Sequence, residues 1–316
     1  MSGKSLGQVS DFDLKLLRVF KTVAECGSFS AAESLLGITR SAISLHMSDL
    51  EKRLGMRLCQ RGRAGFSLTD EGREILRLSD TLLASMESFR QQVNQLHKQL
   101  RGEFSIALIN NLVTTPQMQI TDALAEMRRR APEVRINLSM STPADIERGL
   151  LDGRIQVGAL PLTVPLSGLD YQPLYTERSS LYCSHTHPLF GSATLPDDAQ
   201  LQTLDAVAPG SRMTAETIGL HQLFNCSASA SDREGIAFLI LTGQFVGFLP
   251  DHYASHWVTR GMMRALAPQR FCFDSRIALV TRKGRRPNAI LELFLQGIEQ
   301  AGADQGVERR HAPFTE

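Results

Sequence analysis

Apolar residues near the start of the chain recur at three- and four-residue intervals, in three short blocks separated by glycines. This period predicts three amphipathic helices. The first follows Asp13, a good helix N-cap, and the second begins with a capping-box spacing at positions 30–33. The third is predicted over 40–54, with Thr39 as its N-cap. Two short helices and a tight turn that lead into a longer helix are typical of a helix-turn-helix.

The outward face of the third predicted helix has the chemistry of a DNA-reading surface. The side chain of Arg40, near its N-terminus, suits the O6 and N7 atoms of guanine, and short hydroxyl side chains suit phosphates. The second helix would brace the third, which would enter the major groove. A face that is only solvated would carry the same residues, so the helix pattern alone leaves both interpretations open. The candidate DNA contacts in this region are Ser28, Thr39, Arg40, Ser41, Ser44 and Ser48.

A basic hairpin is predicted directly after these helices. Five basic residues and no acidic residue lie between positions 52 and 63. Residues 58–61 and 66–69 have the pattern of two short strands, and 62–65 that of the turn between them. Such a wing would reach the DNA backbone or the minor groove, and its arginines would release counterions and make binding strongly salt-dependent. The candidate DNA contacts here are Arg53, Arg61 and Arg63.

A long helix with a narrow apolar stripe is predicted from position 70 to 101, with Thr69 as its N-cap. The stripe follows alternating four- and three-residue steps, which is the a/d pattern of a coiled coil, with Ser79 in its one gap. This pattern favours pairing with a second copy of the chain over packing on its own domain. The stripe consists of Ile75, Leu82, Met86, Phe89, Val93, Leu96 and Leu100.

The pattern changes at Gly102, where short apolar runs begin to alternate with helical segments. Strands are predicted at 104–109, 134–140, 155–160, 181–183, 204–208, 223–226, 245–249 and 276–281. Helices are predicted at 116–130, 143–151, near 215, at 232–241 and at 287–301. This alternation predicts a parallel sheet with helical crossovers, in two α/β lobes joined by strand crossings near 169–178 and 268–276. We therefore expect domains at 11–69, 70–101 and 102–302, with lobe 1 at about 102–172 and 272–302 and lobe 2 at about 173–271.

The loops that follow the predicted strands are rich in amide and hydroxyl groups. Ligands of such sheets bind beyond the carboxyl ends of the strands, close to helix N-termini. We expect a small effector there, with a carboxylate bound by Arg212 and hydrogen bonds from Asn110, Thr114 and Ser141; ordinary loop and cap chemistry is the alternative for each residue. The candidate effector contacts are Asn110, Asn111, Thr114, Ser141, Thr142, Ser211, Arg212 and Phe245.

The charge is unevenly distributed along the chain. The net charge is +1, but residues 1–101 hold 15 Lys and Arg against 11 Asp and Glu (+4), and the remainder holds 19 against 22 (−3). A basic N-terminal part and an acidic C-terminal part fit a DNA-binding module joined to a domain with a second function. No apolar run is long enough for a membrane span and no signal peptide is visible, so a cytoplasmic protein without a membrane partner is expected.

The sequence offers no pattern for catalysis, a metal or a cofactor. Its five cysteines are widely spaced without a CxxC, which predicts reduced thiols. The pairs His185/His187 and His252/His256 have no third ligand nearby, and residues 232–235 have the pattern of a helix N-terminus rather than an acid–base site. We find no nucleophile elbow, P-loop or dinucleotide fingerprint. A protein that is not an enzyme, and that needs no cofactor or metal, is expected.

The N-terminal residues resemble the LysR-type transcriptional regulators, and the second half resembles the effector domain of the same family. The resemblance is carried in the head by Leu17, Phe20, Val23-Ala24-Glu25, Gly27-Ser28-Phe29, Ala31-Ala32-Glu33, Leu35, Ser41-Ala42-Ile43-Ser44, Leu50-Glu51, Leu54-Gly55, Leu58, Arg61, Leu68-Thr69 and Gly72. In the second half it is carried by Ala131-Pro132-Glu133-Val134, Leu150-Leu151, Gly153, His187-Pro188-Leu189, Gly243 and Gly247-Phe248-Leu249-Pro250. The chain departs from the family at Arg40-Ser41 (usually Gln-Pro), Leu45 and Ala64 (commonly Arg), and Gln156 (usually Asp).

The resemblance implies an N-terminal all-α winged helix-turn-helix and a long linker helix, followed by a two-lobed α/β domain similar to periplasmic binding proteins. It implies a transcription regulator that binds a double-stranded DNA operator, responds to a small-molecule effector between the lobes and contacts RNA polymerase. It also implies a homotetramer built from two dimers. An architectural DNA binder without an effector and a DNA-targeted enzyme are the competing hypotheses.

Overall fold

The computed structural model describes residues 8–62, 65–96, 100–192 and 197–311. The chain forms two compact units, Met1–Phe89 and Arg90–Glu316. The first unit contains helices α1 (Asp11–Cys26), α2 (Phe29–Leu36) and α3 (Arg40–Leu54) and strands β1 (Cys59–Gly62) and β2 (Gly65–Leu68). Helix α4 (Asp70–Leu96) begins in the first unit and ends in the second. The helix-turn-helix with its wing is thus confirmed.

Local capping fixes where the first three helices begin. Thr39 caps α3 as predicted, since its Oγ1 accepts a hydrogen bond from Ala42 N. The other two N-caps were predicted wrongly. Ser10, not Asp13, caps α1, and Asp13 is its partner three residues on, in a reciprocal capping box. Ser28 caps α2, which begins at Phe29 and not after Ser30.

The core of the first unit joins the helices to the wing. It consists of Leu16, Val19, Phe20, Val23, Phe29, Ala32, Ile43, Met47, Leu50, Leu58 and Cys59. The Phe29 and Phe66 rings lie 6.1 Å apart and connect α2 to β2. Helix α4 meets this core so closely that a Cβ on Gly72 would lie 2.0 Å from the carbonyl oxygen of Leu58. This approach requires glycine.

The apolar stripe of α4 is shared between two surfaces. Ile75 packs on the core of the first unit and Ser79 is 2% exposed, so this end of the stripe is covered by its own chain. Leu82, Phe89 and Val93 are exposed. Leu100 follows the end of α4 and packs on the core of the second unit, so its place in the predicted stripe was wrong. The side chain of Leu96 lies outside the described residues.

In its described residues the second unit is built on one sheet of nine strands, in the order β4-β3-β5-β11-β6-β9-β7-β8, with β10 beside β6. The strands are β3 (Gly102–Leu108), β4 (Val134–Met140), β5 (Val157–Pro161), β6 (Leu169–Ser184), β7 (Asp205–Pro209), β8 (Asn225–Ala230), β9 (Val246–Pro250), β10 (Met263–Ala265) and β11 (Cys272–Arg282). The helices are α5 (Gln119–Arg130), α6 (Pro143–Leu151), α7 (Asp198–Leu201), α8 (Ala215–His221), α9 (Arg233–Leu241), α10 (Asp251–Thr259) and α11 (Ala289–His311).

Two long strands connect the halves of this sheet. Strands β3, β4 and β5 are mutually parallel on one side, and β7, β8 and β9 on the other. Between them β6 and β11 run antiparallel, paired from Leu169 and Arg282 to Ser180 and Cys272. The two predicted crossings therefore fall on real paired strands. The first half has one apolar core and the second half has two.

Several elements of the second unit differ from the sequence prediction. A 3₁₀ turn at Leu112–Thr114 delays α5, which begins at Gln119. Strand β8 begins at Asn225 rather than two residues earlier. The elements α7, α10 and β10 were not predicted. None of the described helices has the length and apolar character needed to cross a lipid bilayer, and the described residues contain no group of three or more His, Cys, Asp or Glu arranged to hold a metal ion.

Candidate nucleic-acid interface and effector cleft

The first turn of α3 is held by α2 and exposed to solvent. A carboxylate oxygen of Glu33 on α2 accepts a hydrogen bond from the backbone N–H of Arg40. The Thr39 and Ser41 hydroxyls lie 3.2 Å apart, and both residues are exposed, as is Arg40. Glu33 was expected to close a capping box within α2. It instead fixes the position of the helix whose N-terminal side chains are the strongest candidates for base contact.

The rest of the outward face of α3 continues from this turn. Ile43, Met47 and Leu50 are buried against the core. On the opposite side Ser44 and Ser48 are half-buried, and Leu45 is 59% exposed. The four serine and arginine candidates of this helix therefore share one accessible side of the unit.

Two candidate DNA contacts have roles inside the protein. The Ser28 hydroxyl accepts from Ala31 N at 3.1 Å as the cap of α2. Arg53 donates to the carboxylate of Asp13 at 2.7 Å and so ties α3 to α1. The backbone N–H of Ser10, together with its hydroxyl and Arg53, lowers the pKa of Asp13 below its ordinary value of 3.8. A phosphate would have to compete with Asp13 for Arg53.

A buried carboxylate anchors the wing to the recognition helix. Glu51, near the end of α3 and 8% exposed, accepts hydrogen bonds from Leu58 N at 2.9 Å and Cys59 N at 3.4 Å. Arg57 lies 3.7 Å from the same carboxylate. The backbone of Arg61 lies in β1, opposite Phe66. The side chain of Arg61 and the whole of Arg63 lie outside the described residues. The sequence pattern included Glu51, but its hydrogen bonds to the backbone of the wing were not predicted.

In the second unit, most candidate effector residues gather where the parallel strands end. Asn110, Asn111 and Thr114 follow β3, Ser141 and Thr142 follow β4, and Ser211 and Arg212 follow β7. Thr142 is also the N-cap of α6, because its hydroxyl accepts from Asp145 N. Phe245 is not brought to this edge: it precedes β9, at the opposite end from the carboxyl ends, and packs on an apolar core.

Hydrogen bonds between the halves show that their carboxyl edges face each other. The Thr114 hydroxyl lies 2.7 Å from His252 Nδ1 on α10, and Arg233 on α9 donates to the backbone oxygen of Asn110 at 3.3 Å. Glu177, on the connecting strand β6, pairs with Arg233 and lies 3.0 Å from His252 Nε2. These five residues are called the interlobe cluster below. The side chain of Glu177 is 2% exposed, that of His252 11% and that of Arg233 15%.

Sequence reasoning named Asn110 and Thr114 as effector contacts and considered His252 only as a metal ligand, and it missed Glu177 and the inward role of Arg233. It predicted Arg212 as the cation that binds the effector and interpreted residues 232–235 only as a helix N-terminus. Asp232 does cap α9, but Arg233 turns into the protein. Burial, with Glu177 beside it, raises the pKa of the nearby Tyr175 hydroxyl to about 12. Asn111 has a left-handed backbone, with φ 67°, and its Oδ1 is buried with no protein partner among the described residues.

Arg212 makes a second contact between the halves. Its side chain is 56% exposed, and its guanidinium lies 3.7 Å from the carboxylate of Glu147 on α6, a side chain that is 8% exposed. Glu147 accepts a hydrogen bond from the Tyr171 hydroxyl at 3.2 Å. The structure thus places Arg212 at a contact between the two halves, already opposite an acidic side chain. A bound carboxylate would have to share or replace Glu147.

Comparison with known proteins agrees with both parts of this architecture. Residues 14–73 match the profile of the bacterial regulatory helix-turn-helix protein, lysR family, and residues 97–303 match the LysR substrate binding domain. The chain is 62% identical over 296 residues to the HTH-type transcriptional activator BauR of Pseudomonas aeruginosa, with 93% of this chain and 97% of BauR covered. It is 25% identical to the HTH-type transcriptional regulator MetR of Escherichia coli, with 96% and 92% covered.

Solved structures show the same fold. The crystal structure of CbnR, a LysR family transcriptional regulator, superposes with a TM-score of 0.64 at 20% identity and covers 92% of this chain and 99% of CbnR. Full-length CbnR complexed with its target DNA superposes with a TM-score of 0.62, also at 20% identity, and covers 91% and 99%. On these grounds the chain belongs to the LysR family of bacterial helix-turn-helix regulatory proteins.

Proposed function

We propose that this protein is a sequence-specific DNA-binding transcription regulator whose residues 102–302 bind a small-molecule effector between two lobes. The observation that carries the proposal is the exposed first turn of α3, held by Glu33 and Thr39, next to a wing that Glu51 anchors. A relative with 62% identity is a transcriptional activator. In this assignment residues 11–69 read DNA and residues 70–101 pair two chains. The protein acts on DNA in the cytoplasm, contacts RNA polymerase there and catalyses no reaction.

Selection from a random duplex pool tests the DNA-binding part directly. The full-length protein should enrich one sequence with two related half-sites, because a dimer presents two recognition helices. Arg40→Ala should weaken binding to that duplex and relax the base preference at one position of each half-site, by about 1–3 kcal/mol. Arg148→Ala, an exposed arginine of the second unit, is the control. An unenriched pool would refute the proposal.

The Arg212–Glu147 contact supports a carboxylate as the effector's recognised group. At 3.7 Å the two side chains are too far apart for a hydrogen bond, and the Arg212 side chain is 56% exposed, so this ion pair contributes little. A small carboxylate could bind the guanidinium in the bidentate geometry that arginine prefers. The exchange would break one contact between the lobes. It would therefore favour the lobe arrangement that the ligand binds better.

Calorimetry with a panel of small mono- and dicarboxylates tests this role. Arg212→Ala should abolish binding of whichever carboxylate the wild type binds, and Glu147→Gln should strengthen it, because the competing charge is removed. Arg148→Ala, on the same helix as Glu147, is again the control. Unchanged carboxylate affinity in Arg212→Ala would remove Arg212 from the site while leaving the DNA-binding proposal intact.

The exposed end of the α4 stripe supports a homodimer, two of which would form a tetramer. Leu82, Phe89 and Val93 follow the four- and three-residue steps of a paired helix and are exposed. Phe89→Ser should lower the oligomeric state measured by sedimentation velocity. Leu35→Ser, which changes an even more exposed residue of the first unit, should not. An unchanged sedimentation coefficient in both variants would place the interface elsewhere.

A further inference from the structure

One side chain on the accessible face of α3 is chemically unlike its neighbours. Leu45 is 59% exposed, and within α3, which is described in full, it is the one large apolar side chain that is exposed. Around it the accessible face presents Ser41, Ser44 and Ser48. An isolated exposed leucine is ordinary on a protein surface. Leu45, however, lies on the accessible face of the helix that we propose contacts DNA.

Helical geometry places Leu45 in the middle of that face. Residues three and four apart are neighbours on a helix, so Leu45 adjoins both Ser41 and Ser48. It lies on the side opposite Ile43, Met47 and Leu50, which are 0–2% exposed. It also belongs to the second turn after Thr39, within the N-terminal half that reaches base edges in helix-turn-helix proteins. Its side chain therefore points to where the floor of a major groove would lie.

A leucine can recognise one feature of that groove. The base edges in the major groove present hydrogen-bond donors and acceptors, and the C5 methyl of thymine is the one methyl group among them. We propose that Leu45 contacts a thymine methyl group and so specifies a T·A pair at one position of each operator half-site. This inference rests on the proposed DNA binding by α3. It adds a base preference that hydroxyl and guanidinium groups do not supply.

Packing within the protein does not explain why a leucine stands at position 45. Leu45 is not among the residues that the structure places in or against the core of its unit. Leucine and alanine also have similar helix propensities. Leu45→Ala should therefore fold like the wild type, and any change in DNA preference would report on contact with DNA.

Replacement of thymine by deoxyuridine tests the contact, because it removes only the methyl group. The duplex selected by the wild type is resynthesised with one thymine replaced at a time. For the wild type, affinity should fall about fourfold at one position per half-site, the effect of exposing roughly one methyl group. Leu45→Ala should bind the thymine and uracil duplexes equally at that position. Leu35→Ala, which shortens an exposed leucine on α2 rather than α3, should keep the discrimination.

The outcomes separate this inference from the proposal beneath it. If a duplex is enriched but no uracil substitution discriminates between the wild type and Leu45→Ala, or if the enriched half-site lacks thymine, the methyl contact is wrong and DNA reading by α3 stands. If no duplex is enriched, the proposed function fails and the methyl contact fails with it.

Discussion

Substitution of Glu177 by glutamine should destabilise the second unit. The change keeps the shape of the side chain but removes the negative charge that faces Arg233 and His252. Breaking a buried ion pair by removing one partner typically costs about 3–5 kcal/mol, because the remaining charge is left uncompensated. Arg233 keeps 15% of its side-chain exposure, so we expect the lower end, about 3 kcal/mol. With a urea slope of about 3 kcal/mol per molar, the midpoint should fall by about 1 M.

The chain carries its own probe for this measurement. Its single tryptophan, Trp257, lies on α10 in the same unit as the cluster, with its ring 5.0 Å from that of Tyr253. Urea unfolding followed by tryptophan emission therefore reports on the second unit alone. Glu299→Gln, an exposed position on α11, is the matched control.

A double variant tests whether the lost stability comes from the unpaired charge of Arg233. In Glu177→Gln/Arg233→Met no unpaired cation remains, so part of the lost stability should return. Should Glu177→Gln unfold at the wild-type midpoint, or should the double variant be less stable than the sum of the single changes, the cluster would not hold the lobes as described.

Two further predictions concern the first unit. Gly72→Ala should destabilise it by about 1–3 kcal/mol, because the new methyl group would overlap a backbone carbonyl 2.0 Å away; thermal circular dichroism checks this against Gly219→Ala, a helical glycine with open space around it. The pKa of Asp13 is lowered by the Ser10 amide and by Arg53, so its contribution to stability is complete above the ordinary value of 3.8 and disappears as the pH falls through the lower folded-state value. Asp13→Asn should be less stable at neutral pH and should lose less on acidification. A parallel pH dependence of unfolding in both proteins would contradict this.

Local chemistry made the helix-turn-helix predictable from sequence. The period of the apolar residues and the Thr39 cap fix α3, since both act within a few residues. The start of α1 was misplaced because Ser10 and Asp13 are both capping residues and bind each other reciprocally. Strand β10 pairs with the distant β6, and its three residues carry no pattern of their own.

Long-range chemistry was not predictable in the same way. Glu177 meets Arg233 and His252 across 56 and 75 residues of sequence, because one strand runs through both halves of the sheet. The loops after β3, β4 and β7 were predicted as ligand-binding loops, since the carboxyl ends of parallel strands are a general ligand position; the structure confirms only that they follow those strand ends. Phe245 was misplaced because it stands before the N-terminal end of β9, whereas ligands bind beyond the carboxyl ends of strands. Glu147 was missed as the partner of Arg212, since α6 reveals nothing about what lies across the cleft.

The salt dependence of binding to the selected duplex tests the central claim most directly. The logarithm of the association constant should fall linearly with the logarithm of salt concentration, with a slope of about −0.9 for each phosphate neutralised. Arg40→Ala should weaken binding at every salt concentration. Arg53→Ala should change the slope by less than one neutralised phosphate would, because the Arg53 guanidinium is already held by Asp13. Binding that is independent of salt and equal for the selected and a shuffled duplex would contradict the account.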